Sequence, residues 1–501
     1  MDSADRGSAL PLGMPPVSGP SGFPKALRSG IGIGIFLGAL DGAVIAILLP
    51  SIARDLGGAQ YLTWLAGGYA LGTAIGAPAW GVFGDSRGHH MTVSIGLWLL
   101  FATTLLCALT GVWKDAPALP PAALQLALFR FAQGVASSAI FTGGIALYAD
   151  MSSIRDRART AGGFSLMFAV ATAFAPAVGG LVGGRMGIDA LGVTIAGWQM
   201  VFFLQLPLIL LALWRVGPPR RHLPARIERF DFGGLLLIAS AVLASTVLIY
   251  ALRNGWLAGQ VCAVAALVSA LLALWTLEHR VARPILSPQL LAIGEVRRSC
   301  ALGATTSAAL LAFGISIPIH LQITLGLTPE AAGTMMVAFS AGIAGGAFAG
   351  GRIIGMTGRL RDTTLAAIGF TLLNLLLLAA IPGASRFWLP VAIFAIGLGF
   401  GPLQILNGLF AQHIAPAGRQ GAISGTLQFF RRLGGTVGAA SSGLLFAHSG
   451  GGLVTAPAAG GGLRSGTILA HLPNAAPAAL CAIFLVASLL VARGLPRERL
   501  A

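Results

Sequence analysis

One carboxylate stands apart from the rest of the sequence. Asp41 lies in the middle of an apolar run, residues 31–52, that is long enough to cross a bilayer. An acid held at that depth is costly, so it must face an aqueous cavity or a partner group. Low-dielectric surroundings penalise its charged form and a neighbouring cation favours it, which is the balance a proton carrier needs. The other fifteen of the sixteen Asp+Glu fall in loops, tails or at the edges of apolar runs. Arg130 lies inside a second run, 121–147, and its guanidinium stays charged at any accessible pH. It has two readings: a fixed charge that tunes Asp41 or meets a substrate anion, or an anchor to backbone carbonyls. A carboxylate paired structurally with Arg130 is the matching alternative for Asp41. Gln133 follows Arg130 on the same helical face.

The elements that position these residues follow from composition. The chain has 501 residues, 56% of them hydrophobic and only 10% charged, with a mean hydropathy of +0.83. Soluble domains carry about a quarter charged residues, so a soluble globular protein is excluded. Apolar runs recur at 31–52, 63–83, 92–112, 121–147, 160–184, 197–214, 232–252, 256–277, 300–324, 331–355, 363–383, 387–411, 420–447 and 471–492, each long enough for a spanning helix. Residues 1–30, rich in Pro, Gly and Ser, read as a disordered tail. With that tail placed inside the cell, 23 of the 32 Lys+Arg fall on the cytoplasmic side, counting Arg352 at the inner end of its run, and six outside; Arg130, Arg431 and Arg432 lie within spans. This bias predicts an even number of spans with both termini in the cytoplasm. It also accounts for the net charge of +16 without nucleic acid, since no aromatic platform surrounds the densest basic patch, Arg220 to Arg229. Gly34-x-x-x-Gly38, Gly68-x-x-x-Gly72 and Gly342-x-x-Gly345-Gly346 are spaced to bring helix backbones together in lipid.

Enzyme classes find little to work with. The four cysteines are scattered with no C-x-x-C pair, so neither a disulfide framework nor a zinc site is expected. There is no H-E-x-x-H, the embedded acid has no second acid beside it, and the serines after glycine at Ser165 and Ser316 have no assignable base. An intramembrane enzyme is therefore the remote alternative, with no metal and no cofactor expected. A receptor would need a sizeable ligand domain, which the short loops do not provide.

Several local patterns together suggest a family. Gly81-Val-Phe-Gly-Asp85-Ser-Arg87-Gly88-His89-His90 follows the second run. Leu40-Asp41 through Pro50 lies in the first run and Arg130-Phe-Ala-Gln133-Gly134 in the fourth. Gly162 through Pro176-Ala-Val-Gly179-Gly180 lies in the fifth, Trp198 through Pro207 in the sixth, and Gly421 through Arg431-Arg-Leu-Gly-Gly435 in the thirteenth. In this order they resemble the signatures of the major facilitator superfamily, and of its fourteen-helix drug:proton antiporters in particular. Ser86 and His89-His90 depart from the basic residues common in the loop signature.

The resemblance implies an all-α integral membrane protein of the major facilitator fold, with two six-helix halves and two additional central helices. The expected divisions are a tail at 1–30, an N-terminal half at 31–215, a linker with two extra helices at 216–299, a C-terminal half at 300–493 and a tail at 494–501. It implies a secondary active transporter of the cell (inner) membrane that exports a small amphipathic, drug-like compound in exchange for protons by alternating access, with the proton gradient as energy source. Uptake or uniport of an organic solute by the same fold is the alternative. The partners are then substrate, protons and the lipid bilayer; periplasmic or outer-membrane efflux partners are not encoded legibly.

Asp41 and Arg130 are the expected proton-coupling pair. Tyr69, Gln133, Phe168, Gln322, Gln404, Asn407 and Gln428 are the candidate substrate contacts. Gly81, Asp85, Arg87, Gly88, His89 and Asp150 form the expected cytoplasmic gate, with Asp85 facing the helix start near Gln420 and Asp150 paired with Arg87 or His89. Gly162, Pro176, Gly179 and Gly180 mark the antiporter motif. An imidazole titrates near pH 6.5, so His89 at the gate suggests a latch that weakens as cytoplasmic pH rises.

Overall fold

A computed structural model describes residues 24–56, 62–110, 120–151, 188–190, 193–219, 231–253, 256–281, 284–325, 329–380, 388–414, 419–447 and 475–495, with Leu327 and scattered residues of 163–182. The helices are α1 (Lys25–Leu56), α2 (Leu62–Arg87), α3 (His89–Leu109), α4 (Ala122–Met151), α5 (Gly197–Val216), α6 (Phe232–Arg253), α7 (Leu257–Glu278) and the short α8 (Pro288–Ala292). They continue with α9 (Gly294–Leu325), α10 (Pro329–Thr357), α11 (Leu360–Ala380), α12 (Trp388–Ile414), α13 (Gln420–Ala447) and α14 (Ala475–Arg493). Thirteen of the expected spans thus appear as described helices. The remaining one, 160–184, lies mostly outside the described residues, although Gly163, Met167, Ala171, Ala175 and Gly179 within it are helical. By length and composition alone, eight of the described helices could cross a membrane.

One expectation needs correction. The first helix begins at Lys25, inside the stretch 1–30 expected to be disordered, because Ala26 and Leu27 continue the apolar pattern and Leu27 is buried. The all-α class holds, with one small antiparallel hairpin before α5 that pairs Ile188–Ala190 with Val193–Ile195. Its β-branched residues Ile188, Val193, Thr194 and Ile195 favour strand pairing.

Within the first half, α2 packs on α4, α3 on α4 and α5, and α1 on α5. Within the second half, α10 packs on α12, α9 on α13 and α14, and α11 on α12. A close backbone approach recurs in each half between its second and fourth helices. A Cβ at Gly72 would stand 2.1 Å from the Phe131 carbonyl oxygen, and one at Gly342 would stand 2.1 Å from that of Phe394. Small residues allow this backbone contact where lipid supplies no hydrophobic drive. The repetition of one crossing in both halves marks them as structural repeats.

The core divides in the same way. One large apolar cluster joins α9 to α14 through Phe313, Phe339 and Phe400. Two others lie within the first half, one of them uniting Leu48, Ala171, Ala175, Trp198 and Phe202. Polar links tie α5 to its neighbours: Trp198 Nε1 donates to Asp55 at 2.9 Å, and Gln199 Nε2 donates to the carbonyls of Ala108 and Thr110. Helices α6 and α7 pair with each other, and α6 touches α2 and α13. Asp231 accepts from the Gly234 N–H at the start of α6, and Glu278 at the end of α7 accepts from Leu286.

Candidate functional site

Asp41 is fully buried, and its carboxylate is held from two sides. Gln133 Nε2 donates to Oδ2 at 2.7 Å, and Gln205 Nε2 donates to Oδ1 at 3.0 Å. Arg130 Nη1 lies 3.5 Å from Oδ1. The guanidinium also donates to the Asp41 backbone carbonyl at 2.8 Å and to Gln133 Oε1 at 2.7 Å. Both sequence readings of Arg130 are therefore realised together: it pairs with the acid and anchors to a carbonyl. Its carbon centre sits 4.6 Å from the Tyr69 ring centroid, in range of a cation–π contact. The Tyr69 hydroxyl donates to the Gly38 carbonyl at 2.5 Å and shares a hydrogen bond with Ser137. Gln133 Nε2 uses its second proton on Thr104.

Five helices converge on this cluster, with Asp41 from α1, Tyr69 from α2, Thr104 from α3, Arg130, Gln133 and Ser137 from α4, and Gln205 from α5. Arg130 and Gln133 meet the same acid because residues three apart share a helix face. The two charges cancel inside apolar surroundings, where either one alone would be severely penalised. A proton on the carboxylate would remove the attraction that holds the guanidinium. The arrangement can therefore couple protonation to helix packing in the first half.

A second polar constellation sits where α2 turns into α3. Gly88 is the sole residue between the two helices and adopts φ 98°, a conformation that favours glycine. Asp85 accepts from the backbone N–H groups of Gly421 and Ala422, both at 2.7 Å. It thereby caps the positive N-terminus of α13 in the opposite half. His89 Nε2 lies 3.3 Å from Asp85 and 3.5 Å from Asp150. Of the two partners the sequence left open for Asp150, the structure brings His89 to it. The His89 ring wedges against both halves, since a Cβ at Gly84 or at Gly421 would run into it. Gly81 meets the Gly421 backbone directly. Arg87 is exposed and leans over the Phe83 ring at 5.9 Å, while His90 reaches the Val216 carbonyl. The two halves are closed against each other at this end.

The remaining candidates are distributed as follows. Tyr69 and Gln133, expected among substrate contacts, lie in the Asp41 cluster, and the hydrogen-bonding capacity of Gln133 is spent there. Asn407 is buried and donates to Thr306 at 3.0 Å. Gln404 accepts from Arg431, and Gln428 is half-buried on α13, in the turn before that arginine. Gln322 is exposed and returns to the Pro318 carbonyl of its own helix, apart from the others. Gly179 is helical and buried. Phe168, Gly162, Pro176 and Gly180 lie outside the described residues.

Sequence reasoning gave no role to Gln205, Thr104 or Ser137, which complete the Asp41 cluster. An amide at mid-span in the largely apolar helix 197–216 was the available signal for Gln205. Among the described residues no cluster of His, Cys, Asp and Glu could hold a metal ion.

Comparisons with known proteins agree with this architecture. The chain is 28% identical over 500 residues to a probable actinorhodin transporter of Streptomyces coelicolor, covering 94% of this chain and 82% of that one. It is 25% identical over 443 residues to the multidrug transporter protein MdtP of Bacillus subtilis, covering 86% and 76%. The solved structure of the proton:xylose symporter XylE superposes with a TM-score of 0.61 at 13% identity, covering 95% of this chain and 97% of that one, and so shares its fold. The profile of the Major Facilitator Superfamily matches residues 31–439. Two helical repeats closed on each other at one end, an acid–arginine pair inside one of them and this match lead to one assignment: the chain belongs to the Major Facilitator Superfamily, as a multi-pass membrane transporter and not an enzyme.

Proposed function

We propose that this transporter exports a small amphipathic organic compound in exchange for protons, by rocking its two halves around a central site. The observation that carries the reading is the Asp41 cluster, an acid buried in a spanning helix and matched to one fixed cation. Proton entry from outside discharges the carboxylate and loosens Arg130, and proton release restores the pair. The multidrug and antibiotic relatives support an organic substrate. The distribution of Lys+Arg supports a cell-membrane orientation with both termini cytoplasmic, and with it the reading of the Asp85–His89 closure as the cytoplasmic gate. In the conformation described here that gate is shut, as an outward-facing or occluded carrier requires.

The test is gradient-driven uptake of a dye panel into everted vesicles, with the proton gradient imposed and then collapsed. Wild type accumulates at least one dye only under the gradient. Asp41→Asn inserts at normal levels and loses that accumulation. Full gradient-driven accumulation by Asp41→Asn would refute the coupling role.

A further inference from the structure

Two guanidinium groups in the spanning region take no part in the Asp41 pair. Arg431 and Arg432 lie together in α13, and neither α12, α13 nor α14 contains an acidic residue. In α9, α10 and α11 the acids are confined to the first turn, at Glu295, Glu330 and Asp362. Arg431 donates to Gln404 Oε1. Because a guanidinium has only donors, this contact fixes the amide orientation. The other end of the amide, Gln404 Nε2, is then a buried donor without a partner.

Arg432 is exposed although it lies mid-helix. It lies two turns on from Gly425, where a Cβ would meet the Ala77 carbonyl of α2 in the opposite half, so the same face of α13 carries Arg432 toward the first half. Among the described residues no acidic group lies within ion-pair distance of it. Asp41, the acid embedded in the first half, is already engaged by Arg130, Gln133 and Gln205. Asn407 Oδ1, one turn from Gln404, is a buried acceptor without a partner, but both charged groups of this constellation are positive.

We infer that the transported substrate is an organic anion, an amphipathic molecule whose carboxylate, sulfonate or phenolate is received by Arg432, with Gln404 Nε2 and Arg431 beside it. This rests on the export reading above and narrows its substrate class. Unmatched guanidinium groups at membrane depth are unfavourable, and an incoming anion offsets that cost where a cation would add to it. A planar donor fork suits two-oxygen acids in particular. Exchange of a monovalent anion for one entering proton also moves two positive charges inward, so an inside-negative potential drives it. Exchange of a monovalent cation for one proton is electroneutral.

The test uses two xanthene dyes of opposite charge, fluorescein and tetramethylrhodamine ethyl ester, with the purified full-length protein. Binding is read by fluorescence polarisation in detergent, and transport in proteoliposomes with the pH gradient and the potential imposed separately. Wild type should prefer fluorescein. Arg432→Gln should lower the anion-to-cation preference by about tenfold, the size of one lost charge-assisted hydrogen bond, and Arg432→Lys should recover most of it. Measured against protein-free liposomes, the potential alone should accelerate the protein-dependent transport of fluorescein and leave the protein-dependent flux of the cationic dye unaffected. Equal or better binding of the cationic dye, or a preference untouched in Arg432→Gln, overturns the inference. Gradient-driven pumping of the cation alone would overturn the anion site and leave proton-coupled export standing. Arg432-dependent fluorescein binding without any gradient-driven transport would uphold the site and remove the export reading.

Discussion

At the scale of the residue, Gln133 does more than its neighbours to hold the charge pair. It donates to Asp41 and Thr104 and accepts from Arg130, so one amide joins three helices. Gln133→Leu leaves buried groups of both charges short of partners, at a cost of about 2–4 kcal/mol. Its thermal unfolding midpoint in detergent should fall clearly below that of wild type. Tyr69→Phe is a milder change, because the ring keeps its place against Arg130 and only the bonds to Gly38 and Ser137 are lost. A loss of about 1 kcal/mol is expected there; an equal effect for both variants would contradict the central place given to Gln133. Asp41 and Arg130 were legible in the sequence because charges inside apolar runs have few innocent explanations. Gln205 was not, since an uncharged amide in a spanning helix has many. The backbone acceptors at Gly38 and Asp41 could not be read at all, because every residue has a carbonyl and only the packing selects which one is used.

At the scale of the element, helix contact depends on which glycines face a neighbour. Gly72 meets the Phe131 carbonyl, whereas Gly67 in the same helix has nothing within 4 Å of where its Cβ would be. Gly72→Ala should therefore force α2 away from α4 and reduce folded yield and thermal stability. Gly67→Ala should be neutral or stabilising by up to about 1 kcal/mol, from helix propensity. Size-exclusion monodispersity and unfolding midpoints of the two variants check this, and similar losses in both would contradict the contact. The sequence showed where helices lie, since apolar runs and basic loops are set by the bilayer. Helix α13 occupies Gln420–Ala447, the expected span itself, while α9 begins at Gly294, ahead of the expected residue 300. Its extra turn carries Glu295, Arg297 and Arg298, charged residues that a hydropathy reading assigns to a loop although they continue the helix beyond the apolar core. The spacing Gly68-x-x-x-Gly72 announced a packing face, but spacing alone could not name the partner α4.

At the scale of the whole molecule, few polar contacts decide how the two halves meet, and Asp85 supplies two of them. Its carboxylate caps α13 through the Gly421 and Ala422 amides, while His89 stands between Asp85 and Asp150. Removing the carboxylate with Asp85→Ala forfeits two charge-assisted bonds. At about 3 kcal/mol in all, that is a population shift of roughly a hundredfold away from the closed end. Asp85→Asn keeps one acceptor oxygen and should fall in between. Spin labels near the α2–α3 turn and the start of α13 would report the change as a longer distance between the halves. The same labels test His89. A protonated imidazole attracts both carboxylates and a neutral one does not, so the closed population should be greatest at low pH. It should fall as the imidazole loses its proton. His89→Arg keeps a positive charge throughout and should abolish that dependence. A distance distribution that responds to pH identically in wild type and His89→Arg would show that the imidazole does not control the closure, leaving Asp85 and the α13 N-terminus to hold it.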